Sequence, residues 1–358
     1  MTPLRFSGPV LPDGEPREVY VVNGYITYER PAGAETHAEG WIVPGLVDAH
    51  NHLGLEDGGA VEDPAEVEAQ AVADRDTGVL LTRDCGSPVD TRWTQAREDL
   101  PRLIRCGRHV ARTKRYLRNY GVEVEPEDLD ATVAEQADSG DGWVKLVGDW
   151  ISREEGDLAP SFPAEAAASA VATAHARGAK VTAHCFGSES LSPLLDAGID
   201  CIEHGTGLTE AHIEQMVSQG VALVPTVQQT DKFTEYVEAG REKFPDYAAT
   251  MERLHRQRRD VLMAAHEAGV PLYVGSDGGG SARHGCLHEE IRAMVDMGLT
   301  PEYVLGAASW LGRAWLGWNA GLEEGDPADF VVYPRNPLED LSVLADPSYV
   351  VLRGRVVA

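Results

Sequence analysis

Two histidines separated by one residue follow an apolar segment near the start of the chain. The segment VPGLVDAHNHLGL covers residues 43–55 and contains His50 and His52. Side chains two residues apart in a β-strand point to the same side, so both imidazoles would face one point in space. Imidazole nitrogens that converge in this way can bind a metal ion.

Four more ionisable residues lie at or near the ends of predicted strands. Lys145 lies within WVKLV, His184 ends KVTAH, His204 ends CIEH and Asp277 ends LYVGSD. In a barrel of parallel strands the carboxyl ends all face one mouth, where active sites are built. We therefore expect these four side chains to meet the histidine pair at a single site.

Each of these residues also has a simpler explanation when taken alone. A single histidine on a strand is more often a hydrogen-bonded core residue, and Asp277 in GSDGGG could begin a turn. Lys145 is harder to explain, because an ammonium among apolar neighbours is costly without a partner. Burial favours the neutral amine, which can take up carbon dioxide near metals and become an anionic carbamate.

The middle of the chain alternates short apolar strands with alanine-rich helical segments. This alternation predicts a parallel α/β architecture whose sheet is buried on both faces. A doubly wound sheet and a (β/α)8 barrel both fit, but no G-x-G-x-x-G follows the first strand and no P-loop is present. The predicted strands are 79–84, 103–110, 143–149, 180–185, 201–204, 222–227 and 272–277.

Both chain ends are rich in short strands. EVYVVNGYITYE alternates around an Asn-Gly pair, which predicts a hairpin, and LRGR predicts a turn between two C-terminal strands. We expect the two ends to form one small β-sandwich domain from residues 1–44 and 317–358. Residues 45–316 would then form the barrel.

Composition excludes several classes of partner. The 358 residues carry a formal net charge of −27, which opposes binding to nucleic acid or an anionic membrane. No apolar run is long enough to span a bilayer, and the first residues do not resemble a signal peptide. Five cysteines without C-x-x-C spacing are expected to be free thiols in a reducing cytoplasm.

Taken together, these motifs resemble the amidohydrolase superfamily of metal-dependent hydrolases. The resemblance covers nearly the whole chain, and IEHG, the VPT strand and the HG…EE stretch make it most similar to imidazolonepropionase-like and prolidase-like hydrolases. It is carried by VPGLVDAHNHL, GVLLTRDCG, VTAHCFG, CIEHGTGL, GSDGGG and the closing segment AASWLGRAWLGWNAGLEEGDPADFVVYPRNPLED.

The resemblance implies a (β/α)8 barrel with two divalent metal ions, for which zinc is expected. His50 and His52 would bind the first ion, with Asp277 contacting it and shuttling protons. His184 and His204 would bind the second ion. A carbamate on Lys145 would bridge the two ions, with a hydroxide bridging them on the other side. The implied reaction is cleavage of an amide-type C–N bond in a cyclic amide, an N-acyl compound or a dipeptide.

Other functions remain open at this point. A ring deaminase would use one metal, which Lys145 argues against, and the same chemistry could hydrolyse a carbamate, urea, lactone or phosphoester. A non-catalytic barrel that serves as an interaction module typically loses metal ligands, whereas the full set is present here.

The substrate is expected to be a small molecule, and Arg283, His284 and Arg112 are its expected contacts. Family resemblance also suggests a homo-oligomer. Trp150 is predicted to pack in the core, and the remaining histidines, His109 among them, are not expected to bind metal.

Overall fold

The computed structural model describes residues 2–358, and strands run through most of that length. In chain order the strands are Leu4–Val10 (β1), Glu15–Val22 (β2), Tyr25–Thr27 (β3), Glu35–Glu39 (β4), Trp41–Pro44 (β5), Leu46–Asn51 (β6), Leu55–Glu56 (β7), Gly59–Ala60 (β8), Val79–Asp84 (β9), Arg102–Arg105 (β10), Val110–Arg112 (β11), Val122–Val124 (β12), Trp143–Val147 (β13), Asp149–Ile151 (β14), Leu158–Pro160 (β15), Lys180–Cys185 (β16), Cys201–His204 (β17), Ala222–Val224 (β18), Phe330–Tyr333 (β19), Tyr349–Leu352 (β20) and Arg355–Val356 (β21).

The helices lie mainly between the strands of the middle region. In chain order they are Pro64–Asp76 (α1), Leu129–Ser139 (α2), Ala164–His175 (α3), Leu191–Asp196 (α4), Glu210–Gln219 (α5), Val227–Asp231 (α6), Phe233–Gly240 (α7), Pro245–Ala268 (α8), Leu287–Asp296 (α9), Pro301–Ala307 (α10) and Trp310–Trp315 (α11). Short 3-10 turns cover Arg92–Ala96, Pro126–Asp128 and Leu341–Ala345.

Strands from both chain ends form one mixed sheet. Its order is β21-β20-β19-β5-β1-β2-β3, with β4 also paired to β1. The Asn-Gly hairpin is confirmed, because Asn23 and Gly24 have φ of 53° and 92° between antiparallel β2 and β3. The expected sandwich is corrected in one respect: these strands belong to a single sheet, whereas a sandwich needs two.

The end sheet has its own apolar core. Phe6, Ile42, Phe330 and Val351 are fully buried against one another, although they come from opposite ends of the chain. Burial of this shared apolar surface is what joins the two ends.

The strands of the middle region pair in parallel. β6 pairs with β9 and β9 with β10, while β11, β13, β16, β17 and β18 follow one another in order. The strand expected at 103–110 is divided in two. Its first part pairs with β9, and Val110 in its second part pairs with Leu146 of β13.

The strand expected at 272–277 is present only as isolated bridges. The Tyr273 amide donates to Leu223 in β18 at 3.0 Å, and the Ala49 amide in β6 donates to Val274 at 2.8 Å. The segment therefore lies between β18 and β6. The parallel strands and their helices form a TIM-barrel-like α/β arrangement.

Helix α3 shows why this region folds as it does. Its buried positions Ala167, Ala170, Val171 and Ala174 recur every three or four residues and so share one face. Small alanine side chains let this helix lie close to the strands. Among residues 2–358 no helix is both long and apolar enough to cross a membrane.

Candidate active site

The first group of candidate ligands lies where β6 ends beside the 272–278 segment. His50 Nε2 lies 3.2 Å from His52 Nε2, and Asp277 Oδ1 lies 3.2 Å from each of these nitrogens. The two histidines are buried, with exposures of 1% and 6%. Three potential ligand atoms therefore converge on one point, as the spacing in the sequence predicts.

Hydrogen bonds on the outer side of each ring determine which nitrogen faces that point. His52 Nδ1 lies 2.9 Å from the Gly86 carbonyl oxygen, which can only accept, so Nδ1 carries the proton. His50 Nδ1 faces the Glu203 carboxylate at 2.8 Å. In neutral rings both Nε2 atoms then present lone pairs to each other and to Asp277.

Lone pairs that face one another at 3.2 Å repel, so a cation is required between His50, His52 and Asp277. Burial lowers the pKa of a histidine, but Asp277 raises the pKa of His52 above its ordinary value. A divalent ion could replace that proton, because all three facing atoms are metal-ligand types. The donor set therefore fits a metal ion.

The second group is His184 and His204, at the ends of β16 and β17. His204 Nε2 lies 2.9 Å from His184 Nδ1, and His204 Nδ1 lies 2.6 Å from Thr226 Oγ1. Burial lowers the pKa of His204 to about 3 and that of His184 well below its ordinary value. Both rings are therefore neutral and can act as ligands.

Lys145 lies on β13 and contacts the first group. Its side chain is buried, and Nζ lies 3.3 Å from His50 Nε2. Lys145 on β13 lies opposite Thr182 on the neighbouring strand β16. β16 also carries His184, and the strand after it, β17, carries His204. The lysine thus lies on the strand that adjoins the second group while contacting the first.

Three non-glycine residues at the site have positive φ angles. They are His204 at 67°, Thr226 at 44° and Asp277 at 53°. Left-handed backbone is costly for β-branched and other bulky side chains, so packing and hydrogen bonds must hold it. For Asp277, the backbone amide donates to the His50 carbonyl at 2.7 Å.

Glu203 and Arg83 form a buried pair that the sequence interpretation missed. Arg83 Nη2 donates to Glu203 Oε1 at 2.7 Å, and both side chains are fully buried. Burial raises the pKa of a carboxyl, but Arg83 and then His50 hold the pKa of Glu203 well below its usual range. The signal was available: each is a charged residue inside an apolar strand.

Two further buried carboxyl groups fix loops around the site. Asp149 accepts from the Phe186 amide at 3.0 Å and from Ser190 Oγ at 2.7 Å, and burial raises its pKa to about 6. Glu290 accepts from the Val227 amide at 2.6 Å, and burial raises its pKa to about 8. These bonds position the chain after His184 and after Thr226.

A cavity of about 230 Å³ opens above the six candidate ligands. Its wall includes residues from loops, whose positions near the cavity were not predicted from the sequence. Trp150, expected in the core, lies on this wall. The wall consists of His50, His52, Lys145, His184, His204 and Asp277 together with Leu55, Asp57, His109, Tyr116, Leu117, Tyr120, Trp150, Gln229, Tyr236, Gly279, Gly280 and Ser281.

His109 reaches the cavity through a tightly packed position. A Cβ atom on Gly121 would lie 2.4 Å from His109 Cδ2, and one on Gly86 would lie 3.0 Å from His109 Nδ1. Burial lowers the pKa of His109 well below its ordinary value. Neither ring nitrogen has a hydrogen-bond partner within residues 2–358, so this neutral ring can bond to a ligand.

The three expected substrate contacts do not line the cavity. Arg283 is exposed and pairs with Glu289. His284 Nδ1 is bonded to Asp74 at 2.9 Å. Arg112 donates to the Ser161 carbonyl, and its Nε lies 3.9 Å from Glu125. After Asp277 the chain lines the cavity only as far as Ser281, so proximity in sequence does not bring Arg283 and His284 to the wall.

Comparison with known proteins agrees with this geometry. Residues 41–357 match the model of the amidohydrolase family. An uncharacterized protein of Mycobacterium tuberculosis is 49% identical over 354 residues, which cover 98% of this chain and 95% of that protein. Ochratoxinase of Aspergillus niger is 24% identical over 373 residues, covering 88% of this chain and 74% of the enzyme.

Solved structures show the same fold. A Xaa-Pro dipeptidase with bound methionine superposes with a TM-score of 0.82 at 21% identity and covers 99% of both chains. The crystal structure of A. niger ochratoxinase gives a TM-score of 0.81 at 19% identity and covers 99% of this chain and 95% of that one. The chain therefore belongs to the amidohydrolase family and is a metal-dependent hydrolase.

Proposed function

We propose that the protein is a binuclear metal-dependent hydrolase that cleaves an amide-type C–N bond. The observation that carries this proposal is the convergence of His50 and His52 with Asp277, beside His184 and His204. Two ligand groups, with one buried lysine that contacts the first and lies on the strand beside the second, suit two ions better than one. This favours the binuclear hydrolase over the mononuclear deaminase.

The proposal includes the rest of the fold. Segment 272–278 would be the eighth strand of a closed (β/α)8 barrel, because it hydrogen-bonds to both β18 and β6. Residues 45–316 would form the barrel, and the two chain ends would form the small domain. The six ligands then lie at the carboxyl ends of barrel strands, where such enzymes place their chemistry.

The side chains have separate roles. When bound, two divalent cations, with zinc expected, lower the pKa of water and polarise a carbonyl group. Lys145 would join the two ligand groups as a carbamate. Asp277 accepts the proton of the attacking water and delivers it to the leaving nitrogen. The Gly86 carbonyl and the Glu203 carboxylate fix the tautomers of His52 and His50, and Thr226 orients the His204 ring.

The similar proteins support the reaction class. The family match and the dipeptidase and ochratoxinase neighbours support a hydrolase acting on amide bonds of small molecules. The arrangement of the side chains is the basis for proposing two metal ions.

The test is metal content combined with lysine replacement. Wild-type protein supplied with zinc and bicarbonate should hold close to two metal ions per chain by plasma mass spectrometry. Lys145→Ala should lose metal and amide hydrolysis, and acetate or propionate with added zinc should partly restore turnover. Lys180→Ala, at an exposed position on β16, is the control. A Lys145→Ala protein with wild-type metal content and rate would mean that the lysine is structural, and a wild-type content near one ion per chain would refute the binuclear site.

A further inference from the structure

The cavity wall has few positively charged side chains. Among the described residues that line it, Lys145 is the only lysine or arginine, and it belongs to the ligand set. Outside the six candidate ligands, the one Asp, Glu, Lys or Arg among the described residues of the wall is Asp57, which is exposed. A substrate carboxylate would therefore meet no free lysine or arginine on the wall, and it would meet a carboxylate at the mouth.

Two cationic side chains next to the wall are already bonded to residues that line it. Lys232 Nζ donates to the Ser281 carbonyl at 2.9 Å and to Ser281 Oγ at 3.1 Å. Arg115 Nη2 donates to the carbonyls of Ala159 at 3.0 Å and Trp150 at 3.2 Å. Moving either group to a substrate carboxylate would break bonds that now stabilise the rim.

The polar groups available to a ligand are neutral. His109 offers a buried ring without partners, as described above. Tyr236 Oη accepts from Gln229 Nε2 at 2.8 Å, which leaves its own proton free to donate. Neutral donors and acceptors of this kind suit amide groups, whose charge is only partial.

The remaining wall is largely aromatic. Tyr116 packs edge-on against Trp150 with ring centroids 4.8 Å apart, and against His109 at 5.2 Å. Tyr120 and Tyr236 add two more rings to the same cavity. Its volume of about 230 Å³ exceeds the roughly 150 Å³ that accommodates a benzene molecule in an engineered cavity. Aromatic pairs add binding free energy beyond area burial.

Resting on the function proposed above, we propose that the substrate is an amide without a free carboxylate and with an aromatic ring next to the bond that is cleaved. Amides that carry a free carboxylate, dipeptides included, are poor substrates of this chain. The aromatic wall binds the ring, and neutral donors bind the amide. A carboxylate is disfavoured because the wall has no free lysine or arginine and carries Asp57 at its mouth.

Four compounds with a single amide bond test the effect of substrate charge separately from the effect of an aromatic ring. They are the benzoyl amides of ethanolamine, glycine and ethylenediamine, and the acetyl amide of ethanolamine. With zinc-loaded enzyme, kcat/KM for benzoyl-ethanolamine should exceed that of benzoyl-glycine and of acetyl-ethanolamine by tenfold or more, and kcat/KM for benzoyl-ethylenediamine should exceed that of benzoyl-glycine. Cleavage of the glycine compound that equals or exceeds that of the other two benzoyl amides would overturn the exclusion of carboxylates. Equal cleavage of the acetyl compound would overturn the selection for a ring.

Replacements of Tyr116 and Lys232 test which side chains determine the preference among the four amides. Tyr116→Ala should raise KM for benzoyl-ethanolamine roughly three- to tenfold, in the range of an aromatic pair, while Tyr116→Phe keeps the wild-type value. Both must retain wild-type metal content. Lys232→Gln should leave the order of the four compounds unchanged. A loss confined to benzoyl-glycine in Lys232→Gln would show that Lys232 binds a substrate carboxylate and would contradict the proposal.

A separate measurement distinguishes this inference from the proposed function. If metal-loaded enzyme cleaves dipeptides but not the neutral benzoyl amide, only the substrate class is wrong. If it cleaves no amide, the proposed function fails, and calorimetry with benzamide and acetamide still tests the aromatic wall. Tighter binding of benzamide supports it, and equal binding overturns it.

Discussion

At the scale of single residues, His50 is the most constrained member of the site. Its Nε2 faces His52 and Lys145, while its Nδ1 faces Glu203. A carboxylate behind a ligand histidine fixes the tautomer and raises the basicity of the coordinating nitrogen. Glu203 in turn is neutralised by Arg83, so the ligand depends on two charges that never reach the cavity.

We expect Glu203→Gln to weaken both metal binding and the fold. Loss of the carboxylate behind His50 should lower metal affinity about 10- to 100-fold. Arg83 would remain buried without a counter-charge, which costs about 3–5 kcal/mol of unfolding free energy. Metal titration with a competing chelator and urea unfolding measure the two effects.

Glu214→Gln is the matched control for this change, because Glu214 is exposed on α5. It should alter neither quantity. If Glu203→Gln keeps wild-type metal affinity while losing stability, Glu203 serves the core alone and does not support the ligand.

The candidate ligands could be proposed from sequence because they belong to strand ends. Strand periodicity and the barrel rule together bring such residues to one mouth, and the structure does bring the six together. Tyr116, Tyr120 and Tyr236 lie in loops or a helix after the strands. Their approach to the cavity depends on tertiary contacts that no local pattern encodes.

At the scale of elements, agreement is best where a strand is buried on both faces. The strands predicted at 79–84, 180–185 and 201–204 have those bounds in the structure. The strand predicted at 222–227 ends at Val224, before the positive φ of Thr226. Segment 272–277 keeps only bridges, and its Gly275 lies so close to β6 that a Cβ would meet His50 Cβ at 2.5 Å.

The segment from Thr113 to Gly121 forms part of the cavity wall, and one of its arginines ties it to a neighbouring hairpin. Arg115 bonds the carbonyls of Trp150 and Ala159 on the β14–β15 hairpin. Arg115→Gln should release the segment, because hydrogen bonds to a charged group contribute about 1.5–3 kcal/mol. Amide hydrogen exchange within 113–121 should then be tenfold faster or more.

Arg118→Gln is the comparison for this element, because Arg118 lies exposed on the same segment. Its exchange rates should match those of the wild type. Unchanged exchange in Arg115→Gln would mean that aromatic packing of Tyr116 holds the segment without the arginine.

At the scale of the whole molecule, Asp329 connects the end sheet to the parallel strands. Its carboxylate accepts from Arg102 Nε of β10 at 2.7 Å and from the Arg353 amide at 2.7 Å, and it lies 3.6 Å from Arg313 of α11. Asp329 is 1% exposed. Sequence patterns placed both chain ends together but gave no sign of this ionic link, since Arg102 lies 227 residues from Asp329 along the chain.

Asp329→Asn should therefore destabilise the molecule without altering its chemistry. Arg102 and Arg313 would lose their shared counter-charge in a buried setting, at a cost of about 3 kcal/mol or more in unfolding free energy. Because Asp329 lies outside the cavity wall, kcat/KM per folded molecule should match the wild type at 25 °C. Asp346→Asn, at an exposed position, should change neither value. Loss of activity in a folded, metal-loaded Asp329→Asn protein would instead mean that the end sheet controls the geometry of the site.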